Sequence, residues 1–127
     1  MRQALALILL ASAAHAQPMT PEDFERFATG RTLDYAVDGE ILGSEAYFPG
    51  RQVRDADTGG PCHDGHWDAD GPAVCFVYEG SSMRHCWLYW REGEQVFAKP
   101  VLSAPEEPAQ TVTPAAAPLS CAPQVGV

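Results

Sequence analysis

The residues best suited to chemistry in this 127-residue chain crowd between positions 62 and 86. Cys62-His63-x-x-His66 puts a thiol and two imidazoles within five residues, a density from which a metal site can start. Structural zinc sites, however, pair their ligands as C-x₂₋₄-C or H-x₃₋₅-H, and Cys75 and Cys86 stand alone in apolar runs. His63 and His66 therefore read as loop or strand-start residues. Asp64, Asp68 and Asp70 before Gly71 have the flavour of a calcium loop, yet the spacing departs from it and no glutamate closes it. Turn chemistry accounts for them better. His85 beside Cys86 places a base next to a nucleophile, but a disulfide-bonded sulfur attacks nothing. There is no G-x-S-x-G elbow, H-E-x-x-H pair or glycine-rich phosphate loop. The expectation is a non-enzymatic protein with no catalytic residue, metal or cofactor. The alternative is a metal-dependent or hydrolase-like activity around Cys62–Asp70.

The elements that hold these residues can be read from periodicity. Thr20-Pro21-Glu22-Asp23 predicts a helix start, with Thr20 as N-cap, Pro21 in the first turn and acids behind it. Phe24, Phe27 and Ala28 fall on one face, and Gly30 ends the helix. About 8 residues do not hold a helix alone, so its phenylalanines should cover one end of a sheet. From Arg31 the period becomes two: Leu33, Tyr35 and Val37 alternate with Thr32, Asp34 and Ala36 before the turn pair Asp38-Gly39. Ser44–Phe48 and Arg51–Asp55 are weaker strands around Pro49-Gly50. His66-Trp67-Asp68 leads to a turn at Asp70-Gly71-Pro72. Ala73–Tyr78 and His85–Trp90 are the strongest strands, and Glu92-Gly93 turns into Gln95–Lys99. Short strands at this spacing predict an all-β fold: an antiparallel meander or small calycin-like open barrel with one short N-terminal helix.

Two ends of the chain differ from this body. Met1-Arg2-Gln3, the uncharged run Ala4–Ala14 and the A-x-A site Ala14-His15-Ala16 form a secretory signal peptide over residues 1–16, cleaved before Gln17. The apolar run is too short to span a bilayer, which takes roughly 20 residues. Residues 17–100 then form the β domain. From Pro100 onward lie six of the eleven prolines, so 101–127 reads as an extended Pro/Ala-rich tail with no core of its own. The formal net charge of −9 repels phosphate backbones and argues against a nucleic-acid partner. The abundance of Ala, Gly, Pro and Asp, with Lys99 as sole lysine and no asparagine, fits GC-rich bacterial coding. The expected destination is the periplasm or the medium.

Four cysteines in a short exported chain imply a disulfide framework of three possible connectivities. A hairpin of Ala73–Tyr78 and His85–Trp90 closed by a two-residue loop at Gly80-Ser81 sets Cys75 opposite Cys86. Opposed Cβ atoms lie about 4.5–5.5 Å apart, close to the separation a disulfide needs. Cys62 and Cys121 would then join and tie the tail back. Chain entropy gives roughly 3 kcal/mol for the short loop and about 4 for the long one. Cys62–Cys86 with Cys75–Cys121 is the rival pairing. The same register puts Val74, Phe76, Tyr78, His85, Trp87 and Tyr89 on one face, and Cys75, Val77, Cys86, Leu88 and Trp90 on the other. A solvated sheet alternates apolar with polar; this hairpin is apolar on both faces. Either the aromatic face is covered by the helix or tail, or Phe76, Tyr78, His85, Trp87 and Tyr89 receive an apolar small ligand or an envelope protein.

The segment from Pro61 to Trp90, with Cys62, Gly65-His66-Trp67, Val74-Cys75-Phe76 and Cys86-Trp87, resembles small uncharacterised secreted proteins of alphaproteobacteria that share a G-x-W, C-F and C-W signature. The resemblance extends upstream through Phe24–Phe48 and Arg51–Arg54. It implies an antiparallel β-meander and an exported location, and attaches no activity.

Overall fold

The computed structural model describes Ile8 and residues 15–124. Most of the proposed signal peptide, residues 1–7 and 9–14, lies outside the described residues.

The short helix α1 (Pro21–Ala28) starts as its sequence dictates. The Thr20 side chain accepts from the Asp23 backbone N–H, and the Asp23 carboxylate accepts from that of Thr20. This reciprocal box satisfies two of the amides that a helix start leaves unpaired. Nine strands accompany it: β1 (Gln17–Pro18), β2 (Thr32–Val37), β3 (Glu40–Phe48), β4 (Gln52–Asp57), β5 (His63–Asp70), β6 (Ala73–Tyr78), β7 (Arg84–Glu92), β8 (Gln95–Pro100) and β9 (Gln110–Pro114). From β2 to β9 each strand pairs antiparallel with the next, and β9 returns to pair with β2. The result is a closed eight-stranded up-and-down barrel, with β1 added beside the lower end of β7. Closure removes the open edges that an antiparallel sheet would otherwise present.

Asp38 and Gly39, both at positive φ (50° and 79°), join β2 to β3. They fit the mirror-image turn whose twist matches two-residue hairpins. The hairpin register of β6 and β7 is as expected: Val74 faces Trp87, Cys75 faces Cys86 and Phe76 faces His85. Its loop is not. Pairing stops at Val77–Arg84, and Glu79–Met83 form a five-residue connection instead of a two-residue one at Gly80-Ser81. The Glu79 amide donates to the Asp64 carbonyl across β5, and Ser81 N–H donates to the Tyr78 carbonyl. Strand β6 thus stays with β5 while β7 peels away. Both disulfides form as first ranked, Cys75–Cys86 and Cys62–Cys121.

The proline-rich segment departs from the sequence reading. Gln110–Pro114 is β9, the strand that closes the barrel, and Val112 is fully buried. The signal was there in Thr111-Val112-Thr113, a β-branched run between prolines. Beyond it, residues 115–120 lie along Asp34, Ile41, Ser44 and Ala56 on the outer side of β2–β4. The Ala115 N–H donates to the Thr32 carbonyl and the Ala122 N–H to that of Gly60. The tail is a strap over the opposite wall, and the aromatic face of β6–β7 is not beneath it.

Candidate functional site

Inward-facing residues stack in layers from one end of the barrel to the other. At the end where α1 lies, Phe24, Leu33, Val53, Trp67, Val74, Val96 and Val112 are all buried. Phe24 meets Tyr47 and Trp67 edge-on and lies tilted against Tyr89, with centroids 4.2–5.6 Å apart. Such pairs add about 0.5–1.5 kcal/mol beyond area burial. Outside this plug, the Arg51 guanidinium sits 4.3 Å from the Trp67 ring centroid and bonds Glu25 of α1. Arg51 holds φ = 60°, a left-handed conformation costing a non-glycine residue roughly 1–2 kcal/mol. Stacking and ion pairing from two elements hold it there. This end is sealed.

Above the plug lies a layer of hydroxyls. Tyr89 and Tyr35 meet at 2.7 Å, Tyr35 and Tyr47 at 2.5 Å, and Tyr47 donates to Glu45 Oε1 at 2.6 Å. Tyr78 donates to Glu45 Oε2 at 2.5 Å from the other side. Four hydroxyls supply four hydrogen bonds if each donates once toward the carboxyl group: Tyr89 to Tyr35, Tyr35 to Tyr47, and Tyr47 and Tyr78 to Glu45. A buried polar network of this kind is tolerable only when fully satisfied, and no buried side-chain polar atom among the described residues lacks a partner. Burial pushes the Glu45 carboxyl up to about 8, reinforced by the neighbouring Asp55 charge and opposed by the two tyrosine hydroxyls. Burial likewise lifts Asp55 to about 6, with Asp57 adding to the rise and His63 and His85 opposing it. Both carboxyl groups therefore hold their protons to higher pH than exposed ones, Glu45 the more strongly.

Above this layer the barrel is hollow. A cavity of about 460 Å³ is bounded by Tyr35, Glu45, Asp55, Phe76, Tyr78, Trp87 and Tyr89, with Leu42, Gly43, Asp57, His85 and Gln110 nearer the mouth. That volume lies in the range of small-molecule sites. Two strand glycines allow close approach in the wall strands. A Cβ on Gly65 would come within 2.4 Å of the Val77 carbonyl oxygen and 2.8 Å of the Tyr78 ring, so only glycine lets that ring cross the wall toward Glu45. A Cβ on Gly43 would meet the Ala56 carbonyl oxygen at 2.9 Å. At the rim, Ile41, Leu42, Met83, Val101 and Leu102 expose large apolar side chains. Topology places all five at the unsealed end.

Matches to protein-family models, to curated proteins and to solved structures were sought, and none was found. The site is therefore read from its own geometry.

All five residues of the expected aromatic face bound this cavity. Phe76 and Tyr89 are buried, Tyr78 and Trp87 half-buried, and His85 is exposed at the mouth. Along this face the Phe24 ring of α1 packs on Tyr89, whereas Trp87 meets the Tyr35 ring edge-on at 6.1 Å and stays half-buried. Periodicity on one hairpin could not find Glu45, Tyr35, Tyr47 or Asp55. These come from three other strands, and only closure brings them opposite the aromatic wall. Strand-interior Gly43 and Gly65 were the available hint, since glycine there marks a close approach.

The cluster from Cys62 to Asp70 is dispersed. Cys62 is bonded to Cys121, Asp64 pairs with Arg54, and Asp68 and Asp70 both pair with Arg84. Among the described residues, no three His, Cys, Asp or Glu side chains converge as a metal-ligand group. A larger groove of about 590 Å³ runs past Phe48, Gln52, Arg54, Asp64, His66 and Glu79. It lies on the outer face of β4–β6, floored by an exposed ion pair, and encloses nothing.

Proposed function

We propose that this chain is a non-enzymatic binding protein that takes a small ligand with an apolar body into the open end of its barrel. The single observation carrying this reading is the contrast between a sealed apolar plug and a 460 Å³ hollow directly above it in the same barrel. A chain that can fill one end with Phe24, Leu33 and Trp67 could have filled the other. Instead Gly43 occupies a wall position, and aromatic rings line the space without closing it. The rigid frame, closed in a ring and crosslinked twice, suits a preformed site, which binds with little ordering cost. Two disulfides fit an oxidising compartment, and together with the N-terminal sequence pattern they support periplasmic or secreted location.

The test is saturable uptake of a neutral apolar dye, N-phenyl-1-naphthylamine, followed by its fluorescence. The wild-type protein should bind one equivalent. Trp87→Ala should weaken binding at least tenfold while the melting temperature falls only a few degrees. Failure of the folded protein to bind the dye saturably would contradict the reading, as would undiminished binding by Trp87→Ala.

A further inference from the structure

The chemistry of the walls narrows the ligand class, on the premise that the barrel is a binding site. A ligand in this hollow meets aromatic rings from β6 and β7 on one side and acidic side chains from β3 and β4 on the other. No lysine or arginine lines the cavity. Its strongest neutral donors are already committed, because the Tyr78 and Tyr47 hydroxyls point at Glu45. Asp55 differs from every other charged group described above. Asp55 is half-buried, its carboxylate takes no side-chain hydrogen bond or ion pair in the structure, and it borders the cavity facing the ring-bearing strands. A half-buried carboxylate with no donor on the protein gains from a cation that brings its own N–H groups. Rings such as Trp87 and Tyr78 present negative faces that favour the same charge. An anionic ligand would meet the opposite: repulsion from Asp55 and Asp57, with only the exposed His85 at the mouth to offset it.

We propose that the cavity selects small organic cations, specifically protonated amines with an aromatic or aliphatic body, the ammonium pairing with Asp55 and the body lying between Phe76 and Trp87. Glu45 below them completes the floor, and its burial disfavours a second negative charge beside Asp55. Fatty acids and other carboxylates are the ligands that this arrangement rejects.

The test compares three phenylethyl probes by calorimetry on the mature protein at neutral pH: 2-phenylethylammonium, 2-phenylethanol and 3-phenylpropionate. The ammonium should bind at least tenfold tighter than the alcohol, with the carboxylate weakest. Asp55→Asn should remove the preference for ammonium over alcohol while leaving alcohol binding within about threefold. If Asp55→Asn does not fold, the wild-type ranking alone decides. Equal binding of ammonium and alcohol, or tightest binding of the carboxylate, would overturn the cation proposal and leave the binding site standing. Uptake of the neutral dye with none of the three probes bound would do the same. Failure of both the dye and the probes would instead remove the binding site itself.

Discussion

The two ends of this barrel are built from the same eight strands and do opposite things. At the helix end the inward side chains are apolar, Phe24 inserts from α1, and Arg51 closes over Trp67. At the other end the inward positions become Glu45, Asp55, Tyr78 and His85, Gly43 occupies a wall position, and a hollow opens. The tyrosine layer of Tyr35, Tyr47 and Tyr89 is the boundary. Each ring belongs to the plug and each hydroxyl to the polar side. Amphipathic rings at such a boundary let one barrel hold a dry core and a polar cavity without leaving either unsatisfied. Stability is thus concentrated below the layer and chemistry above it.

Substitutions at matched positions should separate the two ends. Phe24→Ala should be the most damaging, costing about 3–5 kcal/mol as a large-to-small core change, read as a shift in urea midpoint. Trp87→Ala should cost about 1 kcal/mol, because its half-buried ring meets Tyr35 edge-on and otherwise borders the cavity. Equal losses at the two sites would erase the distinction. Replacing Cys75 and Cys86 together by alanine should cost roughly 3 kcal/mol by chain entropy for a separation of 11 residues. Removing Cys62 and Cys121 should release the strap and cost about 4.

The polar layer gives a pH signature. Glu45 and Asp55 both have folded-state values above their ordinary ones, about 8 and about 6. The folded protein therefore binds more protons than the unfolded chain between about pH 4 and pH 8, and stability falls as pH rises through that window. The contribution is fully present below the ordinary carboxyl range and lost above pH 8, with an amplitude on the order of a few kcal/mol. Glu45→Gln should flatten most of the slope, while Phe24→Ala should lower stability at every pH without changing it. Gly65→Ala should cost about 1–3 kcal/mol as overpacking and displace the Tyr78 hydroxyl from Glu45. The smallest effect should come from Asp64→Ala. It removes an exposed pair with Arg54 and should change stability by less than 1 kcal/mol.

Much of this fold was legible in the sequence because it is local. The capping box at Thr20, the turn at Asp38-Gly39 and the register that opposes Cys75 to Cys86 all depend on neighbours within about fifteen residues. What was not legible depends on closure. Gln110–Pro114 carries a short β-branched signal, Thr111-Val112-Thr113, but lies among prolines, and its place as the strand between β2 and β8 depends on closure. The cavity is illegible for the same reason. Glu45 looks like an ordinary solvent-facing acid in Ser44-Glu45-Ala46 until Tyr47 and Tyr78 turn toward it. The aromatic hairpin could be identified as one wall, but its facing wall lies some twenty to forty residues upstream, and no short-range pattern connects them.

The account stands on one claim, that the open end takes ligand and the sealed end does not. Indole N–H resonances of Trp67 and Trp87, assigned by single Trp→Phe substitutions and followed as 2-phenylethylammonium is added, test it directly. The account predicts a saturable shift of the Trp87 resonance with the Trp67 resonance unmoved. Equal shifts at both, or a shift at Trp67 alone, would contradict it.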